Sequence, residues 1–333
     1  MKILVTGATG FVGNAIVTEL LEKNLDVYCL GSLKSENKAA LPNFYQADIR
    51  KYESLSYLEK LEKIDVIIHT AGLAHQFGKT TERDFWEINV EGTKNTALLA
   101  IKLNVKHFIL ISSVSVYGKK IFQKKKSANP EELYFIDENH LCEPNSGYAQ
   151  SKLEGEAVAR KICEKQKIPL TILRLATVIG EGDEGNVARL IKAVDKNQFI
   201  WIGAGENYKS LIYKADVARA CLIVLNKKRA ETEIFNLSAE PLRMNEIVGQ
   251  IALRLNKRIP QFSIPAALLK KIFRINAIFF RFKKIEKLSE TAKKWLSEEV
   301  FSGEKIKKEY GFYTETSAVE AIGREAEFYK NKK

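Results

Sequence analysis

A short apolar run, Met1-Lys2-Ile3-Leu4-Val5-Thr6, passes directly into Gly7-Ala8-Thr9-Gly10-Phe11-Val12-Gly13 and then into a helical pattern that lasts to about Glu22. The run reads as a strand buried on both faces of a parallel sheet, with no signal peptide before it. Strand, glycine turn and helix in that order form the context of a dinucleotide site. Glycines let the backbone approach a pyrophosphate, and the helix N-terminus meets it with unpaired N–H groups. The spacing is Gly-x-x-Gly-x-x-Gly rather than the commoner Gly-x-Gly-x-x-Gly. A purely structural turn is the alternative, and its place at the end of a strand argues against it.

Further apolar runs alternate with helix-length segments. Strands are expected at Leu25–Leu30, Asn43–Ala47, Asp65–His69, Lys106–Ser112 and Pro169–Leu175. Such alternation marks an α/β fold, a doubly wound parallel Rossmann sheet with right-handed crossovers. Ligands of such sheets bind beyond the carboxyl ends of the strands. The glycine turn, His69-Thr70-Ala71-Gly72, Ser112-Ser113 and the segment after Arg174 all fall there. The 333 residues suffice for one large or two modest domains. Cys29, Cys142, Cys163 and Cys221 have no metal-ligand spacing and read as reduced, mostly buried thiols of a cytoplasmic protein. The four histidines show no zinc pattern, and no uncharged apolar run approaches the roughly 20 residues that span a bilayer.

Tyr148 and Lys152 stand four residues apart in Ser146-Gly147-Tyr148-Ala149-Gln150-Ser151-Lys152. On a helix that step puts both side chains on one face, one turn apart. An ammonium beside a phenol favours the phenolate and is expected to pull the phenol down from about 10. A phenol so tuned can exchange a proton with an alcohol while a hydride leaves the same carbon. Alone, the spacing is common on amphipathic helices.

Four motifs follow one another in order: Thr6-Gly7-Ala8-Thr9-Gly10-Phe11-Val12-Gly13, Asn89-Val90-Glu91-Gly92-Thr93, Ser112-Ser113-Val114-Ser115-Val116-Tyr117-Gly118 and Tyr148-x-x-x-Lys152. Together they resemble the extended short-chain dehydrogenase/reductases, and more narrowly the NAD(P)-dependent nucleotide-sugar epimerase/dehydratase branch. The likeness continues through Arg174–Gly180 and Ser210–Ala218 and covers about the first 240 residues well. It implies a Rossmann domain from 1–175 and about 210–237, and a smaller C-terminal α/β substrate domain from 176–209 and 238–333. It also implies a catalytic set of Ser113, Tyr148 and Lys152, in which Ser113 holds the reacting oxygen. Lys152 would tune the phenol and bond the nicotinamide ribose. Gly7, Thr9, Gly10, Phe11, Val12, Gly13, Ala71, Gly72 and Asn89 would line the cofactor, with Asp48 and Ile49 at its adenine. Asp48 as a strand-end cap is the alternative. Asn89 could instead cap the helix it opens. Ser112 is expected to satisfy backbone at the strand end, Tyr117 to pack, and His69 and His75 to be satisfied loop histidines. In 4,6-dehydratases of the branch an Asp-Glu pair follows the catalytic hydroxyl. Val114 and Ser115 stand here, so dehydration is disfavoured and redox at one carbon remains.

The second strand ends Val27-Tyr28-Cys29-Leu30-Gly31-Ser32-Leu33-Lys34, so glycine replaces the acid that usually bonds the adenosine ribose. Ser32 and Lys34 could hold a 2′-phosphate, which leans the cofactor from NAD slightly toward NADP(H). Asn186, Arg189 and Lys209 are candidate contacts to a nucleotide diphosphate, with a solvated helix end as the bland alternative. The formal net charge is +12, and residues 268–285 mix basic and apolar side chains without one acid. That segment reads either as a packed basic face or as a peripheral membrane contact. Neither it nor Lys124-Lys125-Lys126 has the interleaved aromatics of a nucleic-acid reader. The expected activity is epimerisation of a UDP-hexose or N-acetylated UDP-sugar by transient oxidation at C4. A 4-keto-sugar reductase is the alternative, and a non-catalytic cofactor sensor is a reading from a different class. The resemblance further implies a homodimer on helices near 90–103 and 148–165.

Overall fold

The computed structural model describes residues 1–32, 41–61, 63–74, 80–118, 133–227, 231–259, 261–265 and 296–333. Lys34, His75, Lys124–Lys126 and the 268–285 segment lie outside them. Seven parallel strands form the central sheet: β1 (Lys2–Thr6), β2 (Asp26–Gly31), β3 (Phe44–Gln46), β4 (Val66–His69), β5 (His107–Ser113), β6 (Leu170–Leu175) and β11 (Thr232–Leu237). Their order is β11-β6-β5-β4-β1-β2-β3. Every foreseen strand lies within a residue or so of its observed bounds. The β11 strand was not foreseen, because Thr232, Glu233 and Asn236 interrupt its apolar run.

The sheet is covered by helices on both sides, and strand alternation sorts its residues between them. Ile3 and Val5 face a core shared with Ile16, Val17 and Leu20 of α1 (Phe11–Glu22) and Val217 and Cys221 of α6 (Lys214–Leu225). Leu4 faces the opposite core, with Ala97 and Leu99 of α3 (Gly92–Lys102) and Ala159 of α4 (Gly147–Lys165). The strand order turns back between β1 and β4, which opens the crevice in which such sheets bind ligands.

A third core joins α5 (Asn186–Asp195), α7 (Met244–Arg254) and α9 (Ala318–Asn331) through Ile191, Val194, Ile247, Ile251 and Ile322. Beside it a short pair, β7 (Thr177–Ile179) and β10 (Leu211–Tyr213), runs parallel. Glu325 of α9 is buried there and accepts a bond from the Gly180 amide at 3.2 Å. It also shares a hydrogen bond with the Asp183 carboxyl. Each acid presents a buried oxygen that finds no donor unless one of the two is protonated. Burial, with the Asp183 charge second, pushes Glu325 up to about 8. The fold therefore holds a proton that the unfolded chain releases near pH 4.5. This stabilisation is complete below pH 4.5 and is lost as pH rises through about 8. Thermal melting should fall by roughly 5 °C between pH 6 and pH 9, and Glu325→Gln should flatten that dependence. Equal slopes for the two proteins would contradict a shared proton.

Candidate active site

The glycine turn is shaped by contact. Gly7 adopts φ +68°, and a Cβ there would stand 2.7 Å from the Ala71 backbone. A Cβ on Gly13 would stand 2.1 Å from the Gly7 carbonyl oxygen. The turn thus runs directly against the end of β4, at the switch point. Gly10 precedes α1 without a side-chain cap, so the first-turn amides are available to an anion. Val12 packs on the core, and the Phe11 ring lies 5.6 Å from Lys214 Nζ. These features fit a dinucleotide pyrophosphate.

Further along the same edge, a Cβ on Gly31 would stand 2.8 Å from the Phe44 ring and 3.1 Å from Thr9 Cγ2. That packing accounts for the missing acid, and Ser32 beside it is exposed. Asp48 forms the turn after β3: its carboxylate accepts from the Arg50 backbone amide and pairs with the Arg50 guanidinium at 2.7 Å. The Arg50 hydrogen bond holds its carboxyl below the usual range. Ile49 offers its carbonyl to Asn95 Nδ2 at 2.9 Å.

Ser146 caps α4 by accepting from the Ala149 amide, which sets Tyr148 in the first turn with Lys152 one turn on. The Tyr148 ring meets Phe85 edge to face at 5.9 Å, and the Ser113 hydroxyl at the end of β5 stands near enough to its phenol to favour the ionised form. Lys152 Nζ donates to the Ile111 carbonyl at 2.7 Å. It would also stand 3.6 Å from a Cβ on Gly72. The sequence brings phenol, hydroxyl and ammonium to one strand edge, as expected. One expectation fails. Burial pushes the Tyr148 phenol up, opposed by the nearby Ser113 hydroxyl, and Lys152 does not pull it down. The reason is burial of both groups, since the ammonium gives up its proton before the raised phenol can ionise. Burial lowers Lys152 itself to about 8, and the Glu156 charge opposes that fall.

The supporting residues differ from expectation in instructive ways. Asn89 caps no helix. It lies in a π-helical turn (Glu87–Glu91) between α2 (Glu82–Trp86) and α3, where it bonds both the amide and the carbonyl of Leu73 and also Ser151 Oγ. It therefore ties the loop after β4 to α4. Gly155 allows that approach, because a Cβ there would meet the Asn89 carbonyl at 2.6 Å. His69 ends a strand rather than lying in a loop. Bonded to Thr6 Oγ1 and Thr93 Oγ1, it is driven by burial to about 3 and stays neutral. Ser112 does not serve the backbone but donates to Glu156 Oε1 at 2.5 Å. Tyr117 packs as expected, fully buried with its hydroxyl on Asn236.

Sequence reasoning missed Glu156 and gave Arg174 no role. Glu156 could have been found by extending the Tyr148–Lys152 step by one more turn. An arginine within an apolar strand likewise announces a buried partner. Asn186 and Arg189 lie exposed in the first turn of α5, with Gly185 rather than Asn186 at the cap. Lys209 lies on β9 (Tyr208–Lys209), paired with Glu299 at 3.3 Å. Among the described residues no helix is long and apolar enough to cross a membrane, and no His/Cys/Asp/Glu group could hold a metal ion.

A parallel sheet with a glycine turn at its switch point and a Ser–Tyr–Lys edge defines a Rossmann-type enzyme that works on a dinucleotide. The chain belongs to the NAD dependent epimerase/dehydratase family, whose model matches residues 3–238. It is 32% identical over 268 residues to the N-acetyl-α-D-glucosaminyl-diphospho-ditrans,octacis-undecaprenol 4-epimerase of Escherichia coli O157:H7, covering 79% of this chain and 75% of that one. A dTDP-D-glucose 4,6-dehydratase of Mus musculus is 29% identical over 251 residues, 71% of this chain and 67% of that one. Among solved structures, the UDP-glucuronic acid 4-epimerase from Bacillus cereus in complex with NAD superposes with a TM-score of 0.75 at 21% identity, covering 100% and 99% of the two chains.

Proposed function

We propose that the protein is a 4-epimerase of a diphosphate-linked sugar, acting by transient oxidation at C4. The observation that carries this reading is the convergence of Ser113, Tyr148 and Lys152 on one strand edge, with Lys152 one turn beyond Tyr148, beside the glycine turn. Bound nicotinamide supplies a reversible hydride acceptor and, when oxidised, a positive ring. Ser113 holds the C4 oxygen, and Tyr148 takes its proton as the C4 hydrogen departs. Tyr148 returns the proton to the same oxygen once the sugar has presented its other face. Lys152 orients the ribose and keeps a positive charge at the strand edge. Val114 and Ser115 carry no carboxyl group, which disfavours water elimination despite the similarity to dehydratases.

NAD serves as cofactor in this reading. Gly31 stands where an acid would repel the 2′-phosphate of NADP, and Ser32 beside it is exposed, so each cofactor is included in the test. Residues 176–209 and 238–333 are assigned to the substrate side, with Asn186 and Arg189 near the diphosphate, and the protein is taken as a homodimer through α3 and α4. A polyprenyl rather than uridyl diphosphate carrier is a second reading. The E. coli relative and the acid-free 268–285 segment favour it.

Incubation with a UDP-hexose and oxidised cofactor tests the reading while nicotinamide absorbance is followed. The expected result is the C4 epimer with no net change in absorbance. Stoichiometric reduction of the cofactor would make the protein a reductase or dehydrogenase instead. A lipid-linked N-acetylhexosamine in detergent, turned over faster than the UDP-sugar, would select the second carrier.

A further inference from the structure

Glu156, Arg174 and Ser112 are all buried directly behind the reacting edge. Arg174 grips Glu156 with two bonds, Nε to Oε1 at 3.1 Å and a terminal nitrogen to Oε2 at 2.7 Å. Ser112 donates to Oε1 as well. The register of β5 and β6 sets Ser112 opposite Arg174, one residue before Ser113. Glu156 follows Lys152 by four residues and Tyr148 by eight, so the three share a face of α4. The Arg174 guanidinium lies 4.9 Å from the centre of the Tyr117 ring, whose hydroxyl reaches Asn236 on β11. One buried polar chain thus ties α4 to β5, β6 and β11.

Stability does not explain this chain. A buried ion pair about breaks even against well-packed apolar residues of the same volume. A two-pronged fork does fix distance and angle. We propose that Glu156 is a positioning residue: its fork to Arg174 and its bond to Ser112 hold α4 in register with β5, and its carboxylate is the negative charge that faces the Lys152 ammonium. The inference rests on the proposed roles of Tyr148 and Lys152.

The groups around Lys152 support it. His69 on β4 is neutral, β5 contributes only the Ile111 carbonyl, and Tyr148 on the same helix is an un-ionised phenol. Among the described residues, Glu156 is the charge that opposes the loss of the Lys152 proton. Around Glu156 itself stand Arg174 of β6, Cys142 and Arg160; the Cys142 thiol is raised chiefly by burial and remains un-ionised.

Three variants test the inference against a purely structural role. Glu156→Gln keeps the shape but removes the charge, and its kcat should begin to fall at a pH about one unit lower than in wild type. Should that variant fail to fold, Glu156→Leu combined with Arg174→Met removes both charges at similar volume. It should melt close to wild type yet show the same early alkaline fall, a lowered kcat and a cofactor dissociation constant within about threefold of wild type. Glu156→Asp should recover the wild-type alkaline limb. A double variant with the wild-type pH profile and kcat overturns the inference. Tyr148→Phe, measured alongside, separates the two failures. If it stays active the functional reading falls, whereas an inactive Tyr148→Phe beside an unaltered double variant refutes only the role of Glu156.

Discussion

Tyr148→Phe lowers kcat by about a thousandfold and leaves the dissociation constant of NAD within about threefold of wild type. The expectation follows from what the hydroxyl touches. The phenol faces the Ser113 hydroxyl at the end of β5, and its ring rests edge-on against Phe85. Removing one oxygen leaves the ring contact and the helix cap of Ser146 intact, so the fold and the glycine turn are undisturbed. What is lost is the group that exchanges the C4 proton. Because burial raises the phenol, the remaining activity of wild type should climb with pH until Lys152, lowered to about 8, gives up its charge. Isothermal titration with NAD and a coupled epimer assay measure the two halves separately. Retained turnover would remove Tyr148 from the chemistry.

Gly13→Ala should have an effect of similar size on binding. In isolation, alanine favours a helix over glycine by about 1 kcal/mol. Here the added carbon would stand 2.1 Å from the Gly7 carbonyl and 2.7 Å from Thr70 Oγ1. Contacts that short force the turn to move, and overpacking of this kind costs about 1–3 kcal/mol in a core. The clash therefore outweighs the propensity. Gly7 cannot yield easily, since it sits at φ +68° against the Ala71 backbone. We expect NAD binding to weaken by about a hundredfold, about 2.8 kcal/mol, while the far-ultraviolet spectrum remains native. Fluorescence titration of reduced cofactor would measure it, and unchanged affinity would mean that the turn does not carry the pyrophosphate.

Much of this architecture was legible in the chain itself. The runs ending at Thr6, His69 and Leu175 are apolar because parallel strands are buried on both faces, and each ends where polar or small residues begin. The Tyr148–Lys152 step needed only helical periodicity. What the sequence concealed depends on tertiary register. Glu156 and Arg174 lie 18 residues apart on different elements, and their pairing follows from how α4 crosses β6. Lys209 meets Glu299 across ninety residues, which no local pattern encodes. Asp48 was open between an adenine contact and a strand-end cap, and neither reading named the Arg50 guanidinium that pairs with its carboxylate. The downward pull of Lys152 on the phenol was the plainest error. Spacing places two groups on one face but does not say how burial shifts each of them.

Return of the same hydrogen to C4 is the central claim. A UDP-hexose deuterated at C4, incubated with the protein and catalytic NAD in ordinary water, tests it most directly when the product is read by mass spectrometry. The account predicts a C4 epimer that keeps its deuterium, with no build-up of reduced cofactor. Loss of the label to solvent, or deuterium accumulating in the nicotinamide, would contradict it.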